Sequence, residues 1–110
     1  MTLRLELTRR AAADRDVCFG YISARSPQGA ARWLDAFESA VNSLLDGTEY
    51  GLAPESEDHD EPIFQKFFRT RSGYTYRLLY LQRGNTIYVI HVRGTGQELV
   101  SADDLELPEV

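Results

Sequence analysis

Residues 62–96 contain six bases, Lys66, Arg69, Arg71, Arg77, Arg83 and Arg93, and no acid. Tyr74, Tyr76 and Tyr88 lie among them. Guanidinium forks grip phosphate oxygens and tyrosine rings stack on bases, so these residue types can hold a nucleic acid or another anionic partner. Arginine can also stabilise the charge that grows on a phosphate during RNA cleavage, with His91 as a candidate acid or base. A plainer reading fits the same residues: the arginines form a solvated sheet face, and the tyrosines are core residues with their hydroxyls at the rim. Composition alone leaves both readings open.

Other chemistry finds little support. Gly94-Thr95-Gly96 follows an apolar stretch but lacks the third glycine and the helix that would complete a phosphate-cradling loop. His59 sits among Asp58, Asp60 and Glu61, far in sequence from His91, so no metal site and no cofactor is expected. The single Cys18 excludes an internal disulfide and a multi-cysteine metal site, and it reads as a buried apolar residue. No Ser or Cys lies in the setting of a nucleophile elbow. The carboxylates of the acidic stretch read as solvated charge rather than as a pair for glycoside chemistry.

Charge is segregated along the chain. Its 12 bases and 17 acids give a net charge of −5, which taken whole argues against a polyanionic partner. Residues 49–61 carry six of those acids (Glu49, Glu55, Glu57, Asp58, Asp60, Glu61) and residues 97–110 carry five (Glu98, Asp103, Asp104, Glu106, Glu109), with no base in either. The rest of the chain has 17 − 6 − 5 = 6 acids against all 12 bases, a remainder of +6. The acidic loop and tail are therefore expected to screen the basic face, or to occupy it as a phosphate would.

With 110 residues, 43% of them apolar, the chain is long enough for one domain and one core. Leu3, Leu5 and Leu7 alternate with polar residues as in a half-buried strand. Thr8 is placed to cap a helix running to Ala24, with Ala13, Val17, Tyr21 and Ala24 on one stripe. Ser26-Pro27 starts a second helix, whose Ala30, Leu34, Phe37, Val41, Leu44 and Leu45 recur at helical spacing to Asp46, with Gly47 as the stop. The short turn between the helices predicts an antiparallel hairpin.

Three strands are expected beyond the acidic stretch, Ile63–Arg71, Tyr74–Arg83 and Thr86–Arg93, joined at Ser72-Gly73 and Gly84-Asn85. A two-residue turn at Gly84-Asn85 would pair Arg83 with Thr86, Leu81 with Tyr88, Leu79 with Ile90 and Arg77 with Val92. The expected fold is a single α+β domain, β-α-α-β-β-β, with the helical hairpin packed on one face of a small, largely antiparallel twisted sheet. The other face would then be an exposed apolar and basic surface. No membrane span or secretory leader is expected, and a soluble cytoplasmic protein is.

The element order, Ser26-Pro27, Trp33-Leu34, Arg71-Ser72-Gly73, the strand core Tyr76-Arg77-Leu78-Leu79-Tyr80 and the run His91-Val92-Arg93 resemble the RelE/ParE superfamily. Its members are the toxins of type II toxin–antitoxin modules, often described as plasmid stabilisation proteins. The resemblance covers residues 2 to about 97, which divides the chain into a toxin domain over 1–97 and an acidic tail over 98–110. It implies a growth-inhibiting toxin neutralised by a cognate antitoxin, as a homodimer or a toxin–antitoxin hetero-oligomer. The target would be DNA gyrase in the ParE-like branch, or mRNA on the ribosome in the RelE-like branch, which are ribonucleases.

In the RelE-like branch the strand arginine that contacts mRNA phosphate corresponds to Arg77, with Arg93 and His91 as its catalytic companions. Target or nucleic-acid contacts are expected from Lys66, Arg69, Arg71, Tyr76, Arg77 and Arg93. RelE-like members also carry lysines in the strand before Arg77 and a tyrosine after the last strand. Here only Lys66 stands in that strand, and Gly94-Thr95-Gly96-Gln97 follows the last one without a tyrosine. The departure, with the two long helices, favours the ParE-like branch; a repurposed binding module without toxicity is the remaining alternative.

Overall fold

The computed structural model describes residues 2–46, 50–71, 73–94, 97 and 99–108. Strand β1 (Arg4–Leu7) leads into helix α1 (Arg9–Ser23), followed by α2 (Pro27–Ser43). The helices start where the sequence supplies caps. Thr8 Oγ1 accepts the Ala11 N–H at 3.2 Å, and Ser26 Oγ accepts the Gly29 N–H at 2.9 Å with Pro27 at the first helical position. α2 tightens into a 3₁₀ turn over Leu44–Asp46, and the expected stop at Gly47 lies outside the described residues.

Strands β2 (Phe64–Arg69), β3 (Thr75–Arg83) and β4 (Thr86–Gly94) follow, and the sheet order is β1-β4-β3-β2. β2–β3 and β3–β4 are antiparallel, whereas β1 runs parallel to β4. The β-α-α-β-β-β α+β fold is as expected. Of the two expected turn pairs, Gly84 (φ +61°) adopts the left-handed conformation that favours glycine, and Ser72 lies outside the described residues.

The hairpin register follows expectation only near the turn. Arg83 pairs with Thr86 and Leu81 with Tyr88, but an irregularity past Tyr80 sets Leu79 opposite His91, not Ile90, and Arg77 opposite Arg93, not Val92. The extra residue in β4 is a bulge, which turn length cannot predict.

The helices cover one face of the sheet, and Trp33, Phe37, Phe68 and Tyr76 form its aromatic centre. Trp33 stacks on Phe37 at 5.5 Å and meets the Tyr76 ring edge-on at 5.6 Å. The stripe expected for α1 is the wrong one. Val17 (71% exposed), Tyr21 and Ala13 face solvent, while Ala11 is buried and Cys18, Phe19 and Ile22 are half-buried against the core. α1 is apolar on both sides, so its period does not say which side turns inward.

The second face of the sheet is also covered, contrary to expectation. Residues 50–63, with a 3₁₀ turn over Pro54–Asp58, and residues 99–108 lie across it. Ala53, Ile63, Val100 and Leu105 bury Leu79, Leu81 and Ile90 in a second core. The acidic tail thus contributes two core side chains, Val100 and Leu105.

Candidate functional site

Most of the expected site residues fall into three places. Arg77, on β3, is 5% exposed. Its Nη1 donates to Glu55 Oε1 at 2.8 Å and to Gln65 Oε1 at 3.3 Å, and its Nη2 donates to Glu55 Oε2. Glu55, itself 3% exposed, also accepts the N–H of Val100 at 3.0 Å. Burial alone would raise the Glu55 carboxyl, but the Arg77 fork and the backbone N–H groups hold it down at about 2. Arg77 is therefore a buried, neutralised cation and not the exposed sheet arginine that the pattern suggests.

Arg83 repeats the arrangement at the far end of β3. It forks onto Glu61 at 2.8 and 2.6 Å and donates to the Pro108 carbonyl at 2.9 Å. That fork keeps the Glu61 carboxyl below its usual range. Two arginines of one strand thus each bind a carboxylate of the acidic loop; Arg83 also reaches the tail directly, whereas near Arg77 it is Glu55 that holds the tail. The loop's carboxylates neutralise both guanidinium groups. Arg93 lies opposite Arg77 on β4, half-buried, with its Nε unpartnered.

His91 is fully buried, and its Nδ1 lies 2.7 Å from Asp14 Oδ2, within ion-pair distance though off the line of a hydrogen bond. The same carboxylate accepts the N–H of Val92 at 3.1 Å and the Nε of Arg10 at 3.0 Å. Asp14 thus satisfies the edge of β4 beyond the end of the short β1. Burial opposes its ionisation, but His91, Val92 and Arg10 hold its pKa below the ordinary value. The His91 Nε2 has no partner and no solvent access, which leaves it no route to a substrate proton. Burial and the charge of Asp14 raise the Cys18 thiol, an inert setting for a half-buried cysteine.

The third place is a groove of about 660 Å³ between the α1–α2 turn and the β2–β3 turn. Arg71 and Tyr76 of the expected set line it, joined by Tyr21, Arg25, Arg32 and Tyr74. No acid is among its described lining residues. Burial pushes the Tyr76 hydroxyl up, so it stays protonated. A groove of about 690 Å³ at the other end of the molecule is of mixed sign, with Glu6 and Glu106 beside Arg9 and Arg10. Of the remaining expected residues, Lys66 has its Nζ 4.2 Å over the Tyr50 ring, and Arg69 is exposed at the end of β2. Lys66, Arg77 and His91 are not brought together with the groove.

Glu55, Asp14, Arg25 and Arg32 are the residues that sequence reasoning missed. One signal was available for Glu55: six acids in 49–61 match the six unopposed bases of 62–96.

Against known families, residues 5–99 match the model of the ParE toxin of type II toxin–antitoxin systems, parDE. The chain belongs to the ParE toxin family. No curated protein and no solved structure matches it. The family match runs from Leu5 in β1 through β4, including Arg77 and its partner Glu55, and stops one residue short of the buried Val100. Membership makes the protein a toxin of a type II toxin–antitoxin pair, with an antitoxin as its partner. Among the described residues, no helix of this ParE-family toxin is long and apolar enough to cross a membrane, and no cluster of His, Cys, Asp and Glu could hold a metal ion.

Proposed function

We propose that this toxin arrests growth by binding a macromolecular target, DNA gyrase by its family's branch, and that its cognate antitoxin relieves the arrest by binding the toxin. One observation carries the choice against RNA cleavage. Arg77, the arginine through which a RelE-like toxin would grip mRNA, is buried and neutralised by Glu55, and His91 is sealed against Asp14. Preorganised cations accelerate phosphate chemistry only where the phosphate can reach them. A buried Arg–Glu fork offers no such access.

The test is to induce the toxin in cells, then follow plasmid supercoiling and gyrase–DNA cleavage complexes alongside the integrity of ribosome-bound mRNA. Accumulated gyrase-linked breaks with intact mRNA are expected. Codon-positioned mRNA cleavage with normal supercoiling would sink this reading.

A further inference from the structure

We infer that the groove between the α1–α2 turn and the β2–β3 turn is a binding site for a nucleotide unit, a phosphate ester that carries a planar base. The charge distribution is the first argument. Outside the groove, Arg10, Arg15, Arg77 and Arg83 each have a carboxylate partner, whereas Arg4, Arg9, Lys66, Arg69 and Arg93 have none among the described residues but do not line this surface. Around the groove, Arg32 and Arg71 are exposed and make no ion pair or hydrogen bond among the described residues, and Arg25 meets no acid among them. Three unopposed guanidinium groups on one concave surface attract an anion, and their planar forks match phosphate oxygens.

The walls supply the second argument. Tyr74 is 86% exposed and Tyr21 62% exposed, an arrangement that burial does not explain. Arg25 lies 3.9 Å over the Tyr21 ring while donating to the Tyr21 carbonyl at 3.3 Å, so its guanidinium plane is held in place before any ligand arrives. Aromatic faces beside cations are what a base stacks on.

Two further features point the same way. The N-terminus of the 17-residue α2 opens on the groove through Ser26 and Gly29, its first turn carries no acid, and its dipole favours negative charge there. Trp33, 2% exposed, also lines the groove, and its Nε1 has no hydrogen-bond partner. About 660 Å³ accommodates a mononucleotide or one unit of a strand. Acidic peptide would satisfy the arginines but would leave the exposed rings without a stacking partner.

The inference stands apart from the toxin reading, because it is tested on purified protein without a growth assay. Equilibrium dialysis against AMP and against a short oligodeoxyadenylate is expected to detect binding that weakens with salt. Arg25→Gln/Arg71→Gln should lower the affinity roughly tenfold or more, and Tyr74→Ala several-fold, with unchanged unfolding midpoints. Arg9→Gln, in the opposite groove, should have no effect. A strand bound much more tightly than AMP assigns the groove to single-stranded nucleic acid, and equal affinity assigns it to free nucleotide. Failure of both probes to bind at millimolar concentration overturns the inference. So does an equal loss in Arg9→Gln, or binding of polyglutamate in place of both probes.

Discussion

At the scale of single residues, the pair Arg77–Glu55 decides how this toxin is understood. A buried ion pair is costly to break by halves, because the surviving charge is left without water and without a partner. Arg77→Ala is therefore expected to destabilise the fold by about 3–5 kcal/mol, measured by urea unfolding. A surface arginine would cost under about 0.5 kcal/mol, the outcome its sequence context suggests. The pair also predicts an acid limb. Because the Glu55 carboxyl is lowered from 4.5 to about 2, its contribution is complete above pH 4.5 and disappears as pH falls through about 2. Glu55→Gln should reduce stability at neutral pH and flatten that limb, as followed by circular dichroism across a pH titration. Arg77 was legible as a special residue, since its position in Tyr76-Arg77-Leu78 marks it. Its partner was not. Glu55 sits 22 residues away in a run of charge that reads as solvated, and only the fold brings the two together.

At the scale of elements, caps and turns were legible and faces were not. Thr8, Ser26-Pro27 and Gly84-Asn85 act locally, through a hydroxyl, a fixed φ and a left-handed glycine, so their effect can be read from neighbours in the chain. The inward face of α1 depends on what it meets, and the bulge past Tyr80 depends on how β4 is held at both edges. The segment 99–108 was the largest surprise, because five acids in the tail conceal Val100 and Leu105. Removing residues 98–110 should cost about 3–6 kcal/mol, from two buried aliphatic side chains at roughly 1.5–3 kcal/mol each. It should also expose Leu79, Leu81 and Ile90, detected as binding of a hydrophobic dye. Unchanged urea stability without dye binding would mean that the second core stands without the tail.

At the scale of the whole molecule, the net charge of −5 is the sum of a basic sheet and the acidic segments folded onto it. Glu55 and Glu61 neutralise β3 from the loop, and the tail closes over both through the Val100 N–H and the Pro108 carbonyl. What stays open and basic is the groove at the far end of the helical hairpin. This arrangement makes Arg77 a structural cation, and the proposed function has the toxin act by binding, a claim that one double variant tests. Glu55→Met/Arg77→Met replaces the buried pair by apolar side chains of similar length, a change that often leaves stability unaltered. Induced beside the unsubstituted toxin, the folded double variant is expected to arrest growth equally, with gyrase-linked DNA breaks and intact mRNA. Growth arrest by mRNA cleavage in the unsubstituted toxin, lost in a double variant that is still folded, would contradict the account.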